Sequence, residues 1–265
     1  GRGLWLPFFT RIPHQPLPMT VDFPNSPSHP AAGTTMNRVP QPRSPCRRPL
    51  PRNAQATELD ETVIQTPYYL IDKSKLQINM EKIARLRELS GAKALLALKC
   101  FATWGVFDFM ADYMDGTTSS SLNEVRLGRE RFGKETHAYS VAYADHEIDE
   151  VVSHADKIIF NSISQLTRFS SQSEGIIRGL RLNPGVSSST FDLADPARPF
   201  SRLGEWDLNK VEPVMDMISG FMIHNNCENG DFALFDRMLG DIEQKFGPLL
   251  KKAEWVSLGG GIHFT

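Results

Sequence analysis

The sequence is poor in cysteine, in long apolar runs and in basic patches, and each shortage excludes a class of protein. Its 265 residues include 3 cysteines, whose spacing provides neither a disulfide framework nor a set of zinc ligands. No apolar run is long enough to cross a bilayer. The formal net charge is -2, and residues 61 to 265 carry no sustained basic patch. We therefore expect a cytoplasmic protein with no metal site, no membrane contact and no nucleic-acid partner.

Residues 1 to 56 also lack lysine and hold one acid, Asp22, against seven arginines. They contain most of the chain's 18 prolines. A segment of this composition buries little apolar surface, so we predict a disordered tail over residues 1 to 60. The arginines are compatible with an organelle transit segment, but we favour upstream sequence read through from a wrong gene start, with Met36 as an alternative start.

From residue 61 onward, short apolar runs alternate with longer stretches of helical periodicity. The predicted strands are 92–100, 116–120, 136–141, 156–161, 179–183, 220–224 and 255–258. The predicted helices are 74–89, 122–132, 147–154, 164–172, 208–218 and 232–252. Repeated βα units imply a parallel sheet, and seven of them indicate an incomplete (β/α)8 barrel of the TIM type that lacks its eighth unit.

Polar side chains and glycines follow several of these strands, at the end where barrel enzymes keep their chemistry. Lys99 ends the first strand, where an apolar wall would desolvate its amine and suit it to form a Schiff base. The alternative is a surface lysine with a snorkelling side chain. Three consecutive glycines, Gly259, Gly260 and Gly261, follow the last strand and expose amides that could hold a phosphate, although a plain turn explains them equally well.

Two further features have a structural as well as a functional interpretation. His224 by itself is more often a buried core histidine, but the polar run of Asn225, Asn226 and Cys227 after it favours a pocket. Ser121, taken alone, predicts a helix N-cap, with Glu124 completing a capping box.

Eight stretches together resemble one enzyme family. They are ALLALKCFATW, DGTTSSSLNEV, HAYSV, IIFNSISQL, GLRLNP, DLADPARPFSRLG, GFMIHNNCEN and WVSLGGGIHFT. The chain resembles the carboxynorspermidine/carboxyspermidine decarboxylases from Thr66 to Thr265, a branch of the alanine racemase and ornithine decarboxylase fold. The resemblance implies pyridoxal 5'-phosphate as cofactor and a small polyamine precursor as substrate, which is decarboxylated to norspermidine or spermidine.

The resemblance also implies roles for particular residues. Lys99 is expected to bond to the cofactor aldehyde, His224 to lie against the pyridine ring and Arg181 to lie near its phenolic oxygen. The cofactor phosphate is expected at the glycine loop formed by Gly259, Gly260 and Gly261. Ser121 is expected beside the cofactor, and Glu124 is expected to orient neighbours such as Arg202. The acidic residues suggested for the distal amines of the substrate are Asp192, Asp195 and Glu228.

Members of this family continue beyond the glycine loop with an E-P-G segment and a C-terminal β-domain, and they act as homodimers. Neither segment is present in these 265 residues. We therefore expect a truncated barrel that is inactive alone. Two alternatives stay open, a non-catalytic barrel that binds pyridoxal phosphate and another decarboxylase of this fold, such as one acting on diaminopimelate.

Overall fold

The computed structural model describes residues 8–11, 65, 67–189, 191–227 and 229–262. The chain divides into two units by its internal contacts. One comprises Gly1–Gln15 and Asp72–Thr265, and the other is Pro16–Ile71. Of the second unit, only residue 65 and residues 67–71 are described. The fold described below is that of the first unit.

Seven parallel strands form the sheet that the alternating pattern predicted. They are β2 (Lys93–Ala97), β3 (Gly116–Ser119), β4 (Glu135–Tyr139), β5 (Lys157–Phe160), β6 (Ile177–Leu182), β7 (Gly220–Ile223) and β8 (Trp255–Ser257). Each pairs with the next along the chain, from β2 with β3 to β7 with β8. The predicted parallel barrel is thus confirmed, and most strand ends agree to within two residues.

A strand that the sequence did not predict lies between the two outer strands of the parallel sheet, β2 and β8. β1 (Phe8–Arg11) pairs antiparallel with β2 and with β8, so the sheet is a closed barrel. For these four residues the expectation of disorder is wrong, because β2 and β8 present unpaired backbone groups that an added strand can satisfy. The rest of the predicted tail, residues 1–7 and 12–60, lies outside the described residues.

Helices cover the outside of the sheet. They are α1 (Lys73–Ser90), α2 (Phe107–Ala111), α3 (Leu122–Leu127), α4 (Ile148–His154), α5 (Ile163–Arg168), α6 (Leu208–Val211) and α7 (Phe232–Leu250). The predicted helix 122–132 is divided into α3 and a π-helical turn (Gly128–Phe132), and 208–218 into α6 and a 3-10 helix (Glu212–Met217). Polar side chains cap several N-termini, as when Asp72 accepts from the N–H groups of Ser74 and Lys75.

Alternation along the strands separates two apolar layers. Ala138, Phe160, Leu180 and Phe221 belong to the larger core, between the sheet and its helices. The strand residues that alternate with these in sequence point into the barrel. There, a second and smaller core is formed by Leu95, Ala97, Ile159, Met222 and Trp255. Every strand therefore has two buried faces, which explains why the sequence shows continuous apolar runs there.

The Trp255 ring fills the barrel at the N-terminal ends of its strands. The ring packs so closely on β7 that a methyl group on Gly220 would lie 2.3 Å from it. Its Nε1 donates to Ser219 Oγ at 3.0 Å, and the Lys157 ammonium lies 4.0 Å from the ring centroid. Lys157 is only 8% exposed, so the ring supplies part of the stabilisation that water would give the cation. The functional end of the barrel must be the opposite one.

No helix within the described ranges combines the length and the apolar character needed to span a membrane. The same ranges hold no group of three His, Cys, Asp or Glu side chains placed to bind a metal ion.

The tight packing of Trp255 predicts an asymmetry between two glycine substitutions. Gly220→Ala forces a methyl group into the ring and should lower the free energy of unfolding by about 3 kcal/mol. Gly240→Ala, in α7 with nothing within 4 Å of the added carbon, should raise it by about 0.5–1 kcal/mol. Urea unfolding followed by tryptophan fluorescence measures both, and equal effects at the two positions would contradict the packing described.

Lys157 predicts a specific pH dependence of stability. Burial lowers the pKa of this lysine from 10.5 to about 8. Between these values the unfolded chain binds more protons than the folded one, so stability rises with pH by up to about 3 kcal/mol. Below pH 8 the lysine is charged in both states, and the full cost of its burial is present. Lys157→Met should lack this rise and be more stable at pH 7, whereas parallel stability curves from pH 7 to 10.5 for the two proteins would refute the assignment.

Candidate functional site

The C-terminal ends of the strands bring together most of the residues that the sequence singled out. Arg181 lies on β6 opposite Met222 of β7, and His224 comes two residues after Met222 on the same inward-facing alternation. Gly259 follows Ser257, the β8 residue opposite Met222, by the same interval. Strand register alone therefore places the arginine, the histidine and the first glycine of the loop around one opening.

Lys99 reaches this site from a turn and not from the strand. The strand predicted to run to Cys100 ends at Ala97, whose carbonyl accepts from the N–H groups of Cys100 and Phe101 at 3.0 and 3.1 Å. Lys99 is exposed within that turn, so the prediction that apolar walls desolvate it is wrong. The backbone leaves the sheet before it reaches the lysine, and the amine is left open to a ligand.

Arg181 is the buried cation of the site. It is 3% exposed, and its Nη2 donates to the backbone carbonyl of His224 at 2.7 Å, while its Nη1 donates to the Tyr139 hydroxyl. Its Nε has no hydrogen-bond partner. Within the described ranges no carboxylate forms an ion pair with it. A buried arginine without a counter-ion is costly, and an anionic ligand would remove that cost.

His224 is held as a neutral imidazole. Burial, followed by the positive charges of Lys99 and Arg181, lowers the pKa of His224 to about 3. The backbone N–H of Gly260 donates to its Nδ1 at 3.2 Å, which places the ring proton on Nε2. The Arg181 guanidinium is joined to the same residue, since its Nη2 donates to the His224 backbone carbonyl. An uncharged ring of this kind is suited to pack against another flat, apolar group.

The glycine loop packs directly on His224 and on the segment that follows it. Gly259 has a φ of 71°, and an added methyl group would lie 2.6 Å from His224 Nδ1. Gly261 has a φ of 87° and accepts a hydrogen bond from the Asn229 N–H at 2.8 Å. Only glycine combines this conformation with so close an approach. Beside the loop, the Asn226 side chain is 4% exposed and its Nδ2 has no partner.

Ser121 and Glu124 form the helix cap that their spacing predicted. Ser121 Oγ accepts from the Glu124 N–H at 3.3 Å, and the Glu124 carboxylate accepts from the Ser120 N–H at 2.6 Å. The cap uses the Ser121 oxygen as an acceptor, so its hydroxyl proton can still donate. Within the described ranges the neighbour that Glu124 holds is the Ser120 backbone, and it forms no ion pair with Arg202.

Two of the three acidic residues suggested for the substrate, Asp192 and Asp195, lie on the segment between β6 and α6. Asp192 is exposed and pairs with Arg198 at 3.6 Å. Asp195 accepts from Ser187 Oγ at 2.6 Å and from the Ala197 N–H at 2.8 Å. Within the described ranges neither aspartate forms an ion pair with Lys99 or Arg181. Glu228 lies outside the described residues.

Sequence reasoning missed two residues, Tyr139 and Asn161, which are hydrogen-bonded to the cluster around Arg181. The available signal was their position, since Tyr139 lies on the inward-facing alternation of β4 and Asn161 follows Ile159 by two residues on that of β5. The site therefore offers an open amine, a buried uncompensated cation, a neutral imidazole and a glycine loop. This set fits a flat, anionic ligand that bears a carbonyl group, and pyridoxal phosphate is such a ligand.

The fold is that of a class of solved structures, the α/β-barrel decarboxylases. The barrel matches the crystal structure of carboxynorspermidine decarboxylase from Campylobacter jejuni with norspermidine, with a TM-score of 0.62 and 37% identity over 70% of this chain and 47% of that one. A diaminopimelate decarboxylase from Helicobacter pylori shares the fold, with a TM-score of 0.56, 17% identity and coverage of 71% and 52%.

Sequence comparison shows which of these decarboxylases the chain is similar to. The chain is 66% identical over 203 residues to the carboxynorspermidine/carboxyspermidine decarboxylase of Herminiimonas arsenicoxydans, covering 77% of this chain and 56% of that protein. It is 36% identical over 200 residues to a carboxyaminopropylagmatine decarboxylase of Synechocystis, covering 75% and 51%. No family model matches the chain. The chain is thus a relative of the carboxynorspermidine/carboxyspermidine decarboxylases, and it spans about half the length of the curated relatives it matches.

Proposed function

We propose that this barrel is the cofactor-binding part of a pyridoxal phosphate-dependent decarboxylase that acts on carboxynorspermidine or carboxyspermidine. The observation that carries the proposal is the buried Arg181 cation at the same end of the barrel as Lys99, His224 and the glycine loop, with no carboxylate of the described residues paired with it. The 66% identity to a decarboxylase of that name supports the choice of substrate.

When bound, pyridoxal phosphate supplies an aldehyde that condenses with amines and a ring that accepts electrons from a bond being broken. The residues of this chain would provide the rest. Lys99 would supply the amine and later move a proton, and Gly259, Gly260 and Gly261 would hold the phosphate with their backbone N–H groups. His224 would cover one face of the ring. Arg181 would provide positive charge near the phenolic oxygen.

Acidic side chains would contact the distal amines of the substrate. Asp192 offers an exposed carboxylate that could meet a distal amine, while Asp195 has one oxygen already bonded to Ser187 and Ala197. Ser121 would donate its hydroxyl proton to the cofactor. Glu228 would be a further carboxylate for a distal amine. The full-length protein would act as a homodimer in the cytoplasm.

A substrate related to agmatine is the second candidate, favoured by the similarity to the carboxyaminopropylagmatine decarboxylase of Synechocystis. It would leave the roles of Lys99, Arg181 and the glycine loop unchanged, because these residues are assigned to the cofactor and not to the distal part of the substrate.

An assay of carbon dioxide release distinguishes the candidate substrates. It would compare carboxynorspermidine, carboxyspermidine, carboxyaminopropylagmatine and diaminopimelate. Release from none of the four would favour a barrel without turnover.

The direct test of the cofactor site is chemical trapping. The chain is incubated with pyridoxal phosphate, reduced with borohydride and digested, and the modified peptide is identified by mass spectrometry. We expect a single major adduct on Lys99, lost in Lys99→Ala and retained in Lys210→Ala, which removes an exposed lysine of α6. Adducts spread over surface lysines, with Lys99 no more modified than Lys210, would overturn the proposal.

A further inference from the structure

The Tyr139 hydroxyl stands between two side chains from neighbouring strands. It accepts from Arg181 Nη1 and donates to Asn161 Oδ1 at 3.0 Å. The Arg181 guanidinium carbon also lies 5.3 Å from the centre of the Tyr139 ring. Tyrosine therefore contacts the buried arginine through both its oxygen and its ring.

The direction of each hydrogen bond in this group follows from one backbone donor. The Gly204 N–H can only donate, and it bonds to Asn161 Oδ1 at 3.0 Å. The other amide atom of Asn161, Nδ2, donates to the Arg202 carbonyl at 2.8 Å. The phenol proton of Tyr139 must then point to Asn161, which leaves the phenol lone pairs for Arg181. Burial raises the pKa of the Tyr139 phenol, so it keeps that proton.

The same group connects Arg181 to the segment that carries Asp192 and Asp195. Glu205 N–H donates to the Arg181 carbonyl at 2.9 Å, and Asn183 N–H donates to the Glu205 carbonyl at 2.7 Å. Backbone bonds thus fix the segment to β6 at Glu205, while Asn161 fixes it at Arg202 and Gly204. Tyr139 is the only side chain in the described ranges that hydrogen-bonds to both Arg181 and Asn161.

We propose that Tyr139 is a positioning residue that holds the Arg181 guanidinium toward the cofactor and couples it, through Asn161, to the segment 202–205. The inference rests on the proposed function for its readout of cofactor affinity. Among the described residues no carboxylate pairs with Arg181, and the hydrogen bonds that orient its guanidinium there go to the Tyr139 hydroxyl and the His224 carbonyl. Loss of the hydroxyl leaves Arg181 with a single side-chain hydrogen bond, and a mobile cation binds an anion less well.

The test compares two tyrosines that lose the same atom. Tyr139→Phe removes the bridge, whereas Tyr143→Phe removes a hydroxyl that accepts from the Ser140 N–H at 3.1 Å and donates to the Ile159 carbonyl at 3.2 Å, with no bond to Arg181. Titration with pyridoxal phosphate should show affinity about 5- to 10-fold weaker for Tyr139→Phe and unchanged within about twofold for Tyr143→Phe. In an Arg181→Leu background, adding Tyr139→Phe should cause no further loss, because the residue acts through the arginine.

A second readout needs no cofactor. Phenylglyoxal modifies accessible guanidinium groups, and its rate of reaction at Arg181, followed by mass spectrometry, should rise several-fold in ligand-free Tyr139→Phe and not in Tyr143→Phe. Equal rates in the wild type and in Tyr139→Phe would overturn the inference. So would an unchanged affinity for pyridoxal phosphate in Tyr139→Phe when the wild type binds it. If the wild type forms no adduct at Lys99 but phenylglyoxal reacts faster in Tyr139→Phe, the proposed function fails while the positioning of Arg181 stands.

Discussion

The two-residue alternation of the strands in a closed barrel is the constraint on which the rest of the molecule depends. Outward-facing residues build the core beneath the helices, and inward-facing ones form the smaller core inside the barrel. The same register places Trp255 at one end of that space and Arg181, His224 and Gly259 at the other. A shift of one residue in any strand would exchange its core and site residues, so the fold and the site are specified together.

The electrostatics of the open end follow from what is buried there. Arg181 has hydrogen-bond acceptors but no ion-pair partner in the described ranges, and His224 stays neutral because burial and two nearby cations lower its pKa to about 3. Lys99 adds an accessible amine. A buried cation of this kind costs free energy until an anion binds. Functional sites are often less stable than the rest of a fold for this reason. The Arg181 guanidinium is instead hydrogen-bonded to the Tyr139 hydroxyl, which in turn donates to Asn161.

Much of this was predictable from the sequence, because apolar runs and glycines act locally. The seven parallel strands and the N-cap at Ser121 follow from periodicity and turn chemistry. The exposure of Lys99 was not predictable, because it depends on the residue at which β2 leaves the sheet. Strand β1 was missed because its composition is that of the tail around it. The role of Tyr139 depends on contacts between residues 22 and 42 positions apart, which no local pattern encodes.

The central claim is that strand register assembles a cofactor site at one end of this barrel. A crystal structure of the chain grown with pyridoxal phosphate tests it most directly. We predict continuous density from Lys99 Nζ into the ligand, the phosphate against Gly259, Gly260 and Gly261, and the Arg181 guanidinium still bonded to Tyr139. A well-ordered barrel with the ligand bound elsewhere, or with Arg181 satisfied by a carboxylate and no ligand density, would contradict the account.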